Sequence, residues 1–212
     1  MYTNQENIAS SSHENIPRSA PQLILVLGGA RSGKSTFTEQ LAKRSTRSVA
    51  FIATATAGDD DMRLRIEKHQ AARPAEWHTI EEPLNLSLAI HKAASLADVI
   101  LLDCMTLWVS NWLFTQENID DASPITSSYY EGVLAEIDGL LTTFRALDSQ
   151  KTLIIVTNEV GLGIVPSYTL GRVYRDVLGL VNQRLADAAD RVYLMIAGLG
   201  VDIKRLHEEA ML

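Results

Sequence analysis

The stretch LILVLGGARSGKST, from Leu23 to Thr36, places glycines, a lysine and hydroxyl side chains directly after a short apolar run. Gly28, Gly33, Lys34 and Ser35 occupy the fixed positions of G-x-x-x-x-G-K-[ST], the pattern of a phosphate-binding loop between a strand and a helix. In such a loop backbone N–H groups surround an anion, the lysine reaches the β- and γ-phosphates, and the adjacent hydroxyl binds Mg²⁺. The alternative is a glycine-rich turn without a ligand, which the flanking strand and helix patterns disfavour.

A second candidate is the acidic residue that ends another apolar run, VILLD, at Asp103. In P-loop folds a carboxylate at this place holds Mg²⁺ together with the loop hydroxyl, which here belongs to Ser35. On its own, an aspartate after a buried strand is more often a helix cap or a turn residue. Its combination with the phosphate loop favours the magnesium-binding interpretation.

The third candidate is a histidine, His69, in the stretch DMRLRIEKHQAARPAEWHTIEEP. It follows Met62 and Ile66 at helical spacing and precedes Arg73 by one turn, which predicts that His69 and Arg73 share the helix face turned towards the protein. An imidazole next to an arginine can attack phosphorus while the guanidinium stabilises the resulting charge. A histidine satisfied by a carbonyl group fits the same spacing, so the residues alone leave both interpretations open.

A fourth stretch, VTNEVGLGIVPSYTLGRVYRD, ends an apolar run at Asn158 and Glu159 and continues through glycines and a proline to Arg172 and Arg175. One interpretation is a loop followed by a solvated helix face. The other is a wall of the acceptor site or a subunit contact. The residues do not separate the two.

The elements that must position these residues alternate along the chain. Strands are predicted over 23–27 and 48–55, and in runs that end at Asp103, near Asn158 and, for the last strand, near Ala197. Helices are predicted over 35–45, 59–73, 84–95, 106–114, 125–147 and 170–188, with an acidic surface loop over 115–124. Continuously apolar strands separated by helices are typical of an α/β fold with a mostly parallel sheet, helices on both faces, and ligands at the carboxyl ends of the strands.

Composition narrows the function classes. With 212 residues and 46% hydrophobic residues the chain can bury one core, so we expect a single catalytic domain over 22–212 after a disordered, polar tail over 1–21. The 26 acidic residues outnumber the 19 basic ones, which argues against nucleic acid and favours small-molecule partners. The tail lacks the apolar region of a signal peptide, no apolar segment is long enough for a membrane span, and Cys104 is the single cysteine, so we expect a cytoplasmic protein.

Six blocks of the chain, in order, resemble one known family. They are GGARSGKS, IATA followed by DDDMRLRI, HQAARPAEWHTIEEP, LLDCMTLWVSN, VTNEVGLGIVP and GRVYRDVLGLVNQRLA. From about Leu23 to about Lys204 the chain is similar to the bifunctional adenosylcobinamide kinase / adenosylcobinamide-phosphate guanylyltransferase family of cobalamin biosynthesis. This resemblance implies a RecA-like P-loop NTPase fold and a homo-oligomer, with a trimer favoured.

The resemblance also implies two activities. The family phosphorylates the aminopropanol hydroxyl of adenosylcobinamide with ATP or GTP and Mg²⁺. It then transfers GMP from GTP to adenosylcobinamide phosphate, which releases pyrophosphate and forms adenosylcobinamide-GDP. Guanylyl transfer passes through GMP bound to a histidine, which by this resemblance is His69.

The site residues that the resemblance implies extend those of the motifs. With Lys34 as the catalytic lysine and Ser35 and Asp103 as Mg²⁺ ligands, the nucleotide contacts are Gly28, Gly29, Ala30, Arg31, Ser32, Gly33, Lys34, Ser35, Ala53, Thr54, Ala55, Gln70, Ala71, Ala72, Arg73, Glu81 and Asp103. Gln70 stands where many relatives have a basic residue, which shifts phosphate neutralisation towards Arg73. His78 ranks below His69 because it lies beyond Pro74 in a predicted strand or loop.

The sequence leaves open which residue is the base of the kinase step and does not exclude two other functions. The base of the kinase step is Glu81, Asp103 or Glu159, or no strong base is needed. Two other functions use the same phosphate loop: a simple P-loop small-molecule kinase with a structural His69, and a non-enzymatic RecA-like NTP-binding assembly module. The module would need a basic or aromatic partner surface, which an acidic chain with 6% aromatic residues does not indicate.

Overall fold

The computed structural model describes residues 19–56, 58, 60–71, 73–116 and 127–211. Its strands are β1 (Gln22–Gly28), β2 (Val49–Ala53), β3 (His78–Glu81), β4 (Val99–Asp103), β5 (Thr152–Val156), β6 (Arg191–Ile196) and β7 (Leu199–Asp202). Its helices are α1 (Lys34–Arg44), α2 (Asp60–Ala71), α3 (Leu86–Leu96), α4 (Met105–Phe114), α5 (Ser127–Arg145), α6 (Thr169–Ala188) and α7 (Ile203–Ala210). Most of the predicted tail, and the predicted acidic loop from residue 117 onwards, lie outside the described residues.

The strands form one sheet in the order β3-β2-β4-β5-β1-β6-β7. Every neighbouring pair is parallel except β6 and β7, so the predicted mostly parallel sheet is confirmed. In the register, Asp103 at the end of β4 lies opposite Ala53 on β2 and Val156 on β5. The carboxyl ends of the central strands therefore meet at one edge of the sheet.

Each face of the sheet is covered by helices. Successive strand residues point to opposite faces, so Leu23 and Leu25 pack in a core with α3, α4, α5 and α6, while Ile24 and Val26 pack on the side of α1. None of the described helices has the length and apolar character needed to cross a membrane.

The predicted helix boundaries agree with the structure to within two residues, but the chain continues after the strand predicted as the last. Ala197 and Gly198 have φ values of 51° and 85° and form a two-residue turn, after which β7 pairs antiparallel with β6 and α7 follows. Such a turn needs positive φ at both positions, which alanine rarely adopts. The pair Ala197–Gly198 therefore does not match the residue types that predict a hairpin turn from the sequence. β7 and α7 were therefore missed.

The start of the domain also differs slightly from the prediction. Pro21, assigned to the tail, is buried, and its carbonyl oxygen accepts a hydrogen bond from Arg145 Nη1 at 2.6 Å. The fold thus includes Pro21.

Candidate active site

The phosphate loop, residues 28–35, joins β1 to α1 as the motif predicts. Gly33 stands directly before α1 with φ 97°, a conformation that favours glycine. A Cβ on Gly28 would lie 2.5 Å from the carbonyl oxygen of Met195 and 2.8 Å from Ser32 Oγ. Both fixed glycines are therefore required by the local backbone or packing.

Lys34 is held inside this loop. Its Nζ donates hydrogen bonds to the carbonyl oxygens of Gly28 at 2.9 Å and Gly29 at 2.7 Å. Burial lowers the pKa of Lys34, and the acidic groups of Cys104 and Asp103 oppose that shift. The loop thus contains a positive charge at the place where the motif predicts phosphates.

Ser35 and Asp103 meet across the sheet edge, because Ser35 Oγ donates to Asp103 Oδ2 at 3.3 Å. Burial raises the pKa of Asp103, while His69, the hydrogen bond from Ser35, Lys34 and Arg73 each lower it. A hydroxyl and a carboxylate are the hard oxygen ligands that Mg²⁺ prefers. Among the described residues no group of three or more His, Cys, Asp or Glu is placed to hold a metal ion by itself.

Thr54 fixes the backbone next to Asp103. Its Oγ1 donates to the Cys104 carbonyl oxygen at 2.8 Å and accepts from the Cys104 N–H at 2.9 Å, and the residue is fully buried. Its neighbours Ala53 and Ala55 border the same sheet edge. Burial, with Asp103 adding to it, raises the pKa of the Cys104 thiol to about 12, so this thiol stays protonated at neutral pH.

His69 lies near the end of α2 and is exposed, so the inward-facing stripe predicted for this helix does not bury it. Leu64 on the same helix is 62% exposed. Helical spacing determines which residues share a face, but a face is buried only where another layer covers it. The imidazole is still near enough to Asp103 to lower the pKa of that carboxyl, and it makes no hydrogen bond to any residue that the structure describes.

The chain after His69 is attached to β3. Gln70 Nε2 donates to Glu81 Oε1 at 2.9 Å, and Arg73 Nη1 donates to Thr79 Oγ1 at 2.9 Å. The Arg73 guanidinium also lies 3.5 Å from the centre of the Phe51 ring.

The prediction that Arg73 shares a helix face with His69 is wrong, because α2 ends at Ala71 and Arg73 lies in a bend. Ala72 lies outside the described residues. Burial lowers the pKa of Arg73, and Asp103, Glu39 and Glu81 oppose this. The structure therefore brings His69, Gln70, Arg73 and Glu81 to the edge that carries Asp103. The contacts of Arg73 with Thr79 and Phe51 could not be predicted, because they depend on the pairing of β2 with β3, which places Phe51 opposite Thr79.

The segment after β5 begins at the phosphate loop and leads away from it. The N–H of Glu159 donates to the Gly28 carbonyl oxygen at 3.1 Å, and Glu159 Oε1 accepts from the Gly161 N–H at 2.6 Å. Further on, Arg172 donates to the Ser167 carbonyl oxygen at 2.7 Å, which supports a structural role for this arginine. Ile164 is 96% exposed, so the tip of the segment does not pack on the described part of the chain.

The sequence of this chain is similar to those of known proteins. The family model described as cobinamide kinase / cobinamide phosphate guanyltransferase matches residues 24–203. The bifunctional adenosylcobalamin biosynthesis protein CobU of Escherichia coli (strain K12) is 42% identical over 185 residues, which cover 86% of this chain and 99% of that protein. The bifunctional adenosylcobalamin biosynthesis protein CobP of Pseudomonas aeruginosa is 41% identical over 180 residues, which cover 85% of this chain and 96% of that protein.

A solved structure supports the fold alone. A prototypical ATPase from the type III secretion system of pathogenic bacteria superposes with a TM-score of 0.53 at 13% identity, over 88% of this chain and 57% of that chain. Together with the strand order and the phosphate loop, this likeness confirms the predicted RecA-like P-loop NTPase fold. By its sequence, this chain belongs to the cobinamide kinase / cobinamide phosphate guanyltransferase family.

Proposed function

We propose that this protein phosphorylates adenosylcobinamide and then transfers GMP from GTP to adenosylcobinamide phosphate. The name of its family, cobinamide kinase / cobinamide phosphate guanyltransferase, and the naming of its relatives as bifunctional adenosylcobalamin biosynthesis proteins support this proposal. The observation that carries the proposal is the meeting of three features at one sheet edge. These are the phosphate loop with Lys34, the Ser35–Asp103 pair, and His69 close enough to influence Asp103.

In the kinase step, the acceptor hydroxyl of adenosylcobinamide attacks the γ-phosphorus of ATP or GTP. The bond from that phosphorus to the bridging oxygen of the β-phosphate breaks, and the hydroxyl proton is released. The three carboxylates considered as bases already accept hydrogen bonds, Glu81 from Gln70, Asp103 from Ser35, and Glu159 from the Gly161 N–H. This favours a step that depends mainly on positioning and charge neutralisation, which phosphoryl transfer permits.

In the guanylyl step, a neutral imidazole nitrogen of His69 attacks the α-phosphorus of GTP. The N–P bond forms and the bond to the leaving pyrophosphate breaks. A phosphate oxygen of adenosylcobinamide phosphate then attacks the same phosphorus, and the N–P bond to His69 breaks. The exchange is therefore ping-pong, with a covalent GMP–histidine between the two halves.

The same phosphate loop serves both steps. Lys34 places a positive charge next to the β- and γ-phosphates, which favours γ-transfer and equally stabilises pyrophosphate as a leaving group. Ser35 and Asp103 would hold Mg²⁺, which supplies further neutralisation of these phosphates when it is bound.

The experiment that tests the proposal is covalent labelling with α-³²P-GTP. We expect the wild-type protein to carry a label that is acid-labile and resists alkali and hydroxylamine, as a phosphoramidate does, and that pyrophosphate removes. His69→Ala should abolish the label and guanylyl transfer, yet keep part of the kinase activity, because γ-transfer does not use the imidazole.

His78→Ala is the matched control, since His78 is another exposed histidine, at the start of β3 and three residues before Glu81. It should label like the wild type. A label that survives His69→Ala, or that maps to His78, would contradict the assignment of His69. A wild-type protein that phosphorylates a small molecule without any label would instead be a simple kinase.

We also propose a cytoplasmic homo-oligomer, a trimer. Dependence on nucleoside triphosphates and the single cysteine support the compartment, and the resemblance to the family supports the assembly. Light scattering of the purified protein measures the mass directly.

A further inference from the structure

Asn158 follows β5, which lies between β1 with its phosphate loop and β4 with Asp103. The ladder between β5 and β1 continues past the last residue of β5. The N–H of Thr157 donates to the Val26 carbonyl oxygen at 3.0 Å, and the N–H of Glu159 donates to the Gly28 carbonyl oxygen at 3.1 Å. Adjacent strands lie about 4.8 Å apart. Asn158 therefore stands at the sheet edge, one strand from each half of the candidate site.

Alternation determines which face the Asn158 side chain occupies. Ile154 and Val156 pack in the core on the side of α1, whereas Thr157 points to the opposite face, where its Oγ1 donates to Asn182 Oδ1 at 2.7 Å. Since successive residues of an extended ladder alternate, Asn158 shares the face of Ile154 and Val156. This is also the face of α1, which the phosphate loop precedes.

The backbone of Asn158 is fixed on both sides. Its N–H donates to Thr106 Oγ1 at 2.9 Å, and its carbonyl oxygen accepts from Asn182 Nδ2 at 2.9 Å. The side-chain amide of Asn158, in contrast, makes no hydrogen bond to any residue that the structure describes. A polar side chain that is half-buried, held firmly by its backbone and still unpaired is suited to bind a ligand.

The side chains of the two neighbouring residues, Thr157 and Glu159, already make hydrogen bonds within the protein. The hydroxyl of Thr157 is buried in its bond to Asn182, and the carboxylate of Glu159 accepts the Gly161 N–H and carries a charge that would repel phosphate. Among these three residues, Asn158 alone offers an unpaired neutral donor.

We propose that the side-chain amide of Asn158 donates a hydrogen bond to the terminal phosphate of the bound nucleoside triphosphate and orients it for transfer. The loop amides and Lys34 surround the phosphate chain from the side of β1, and the Ser35–Asp103 pair lies towards β4. Asn158 stands between them, and in P-loop NTPases the loop lysine and the Mg²⁺ held by such a serine and aspartate both bind the γ-phosphate. This inference rests on the proposed function, because it requires a triphosphate in the phosphate loop.

The test compares two nucleotides that differ only by the terminal phosphate group. The affinities of GMPPNP and GDP, each with Mg²⁺, are measured by calorimetry for the wild type, Asn158→Ala and Asn158→Asp. We expect Asn158→Ala to weaken the binding of GMPPNP about tenfold or more, because one hydrogen bond to a charged group contributes that much. The affinity for GDP should stay within about twofold of the wild-type value. Asn158→Asp should weaken GMPPNP further, because it keeps the shape but replaces the donor with a negative charge.

Asn85→Ala is the control for a merely structural effect. Asn85 Oδ1 accepts the Leu88 N–H at 3.0 Å and caps α3, so this variant should lose stability and keep both affinities. Equal losses for GMPPNP and GDP in the Asn158 variants, or no loss in either, would overturn the inference while leaving the proposed function intact. A wild-type protein that binds neither nucleotide would overturn both. If Asn158→Ala does not fold, the affinities for GMPPNP and GDP are compared in the isosteric Asn158→Asp instead.

Discussion

Replacing Thr54 with valine tests whether one buried hydroxyl holds the Asp103 end of the site together. Valine has nearly the same shape but cannot pair with Cys104. The Cys104 N–H would lose the partner that it has at 2.9 Å, whereas the Cys104 carbonyl oxygen would keep a second bond from the Trp108 N–H at 3.2 Å. The damage therefore comes from one orphaned donor and one lost hydrogen bond.

The expected size follows from these contacts. A buried donor without a partner costs about 1–3 kcal/mol and a lost hydrogen bond about 1 kcal/mol, while the additional buried methyl group returns about 0.8 kcal/mol. The free energy of unfolding should fall by about 2 kcal/mol, which for a domain of this size lowers the melting temperature by about 4–8 °C. Because Cys104 follows Asp103, the variant should also bind GTP with Mg²⁺ more weakly.

The assay is guanidinium chloride unfolding together with calorimetric titration of GTP. Thr54→Ser is the matched control, since it keeps the hydroxyl and loses only a methyl group, which costs about 1 kcal/mol. Its GTP affinity should stay at the wild-type value. If Thr54→Val proves at least as stable as Thr54→Ser and binds GTP equally well, the contact with Cys104 does not support the site, and the reasoning fails.

Two further predictions concern the phosphate loop and the tail. Lys34→Ala should weaken GTP binding more than about tenfold and reduce both activities while the protein stays folded, because it removes a charge that both steps use. Lys43→Ala on the same helix, with a side chain 52% exposed, is the control by calorimetry, and an Lys34→Ala variant with either activity within about twofold of wild type would refute the shared loop. Deleting residues 1–20 should leave the melting temperature and turnover unchanged, since so polar a segment buries little and Pro21 is kept. A clear loss in either measurement would mean that the tail contributes to the fold.

The parts of the site that lie in one continuous motif could be predicted from the sequence. The phosphate loop and the aspartate that ends β4 follow from local patterns, and parallel strands bring their ends together. The exposure of His69 could not be predicted in this way. A period of 3.6 residues shows that a helix has faces, whereas the layer that covers a face comes from distant segments.

The contacts that support the candidate site could not be predicted from the sequence for the same reason. Thr54 and Cys104 are brought together only by the pairing of β2 with β4, and Asn158 with Asn182 only by the packing of α6 on the sheet. Single threonines and asparagines carry no pattern that marks such partners. Their roles are set by strand order and register, which the sequence indicates only in outline.

The turn between β6 and β7 is hydrogen-bonded to the phosphate loop, so a backbone amide outside the loop reports on the state of the loop. The N–H of Gly198 donates to the Ser32 carbonyl oxygen at 2.9 Å, so this amide exchanges its proton with solvent only when the turn and the loop separate. A nucleotide that holds the loop closed slows that exchange without touching the turn. The amide signal of Gly198 in a deuterium-exchange spectrum is therefore a built-in reporter of phosphate binding, and it needs neither a label nor a turnover assay.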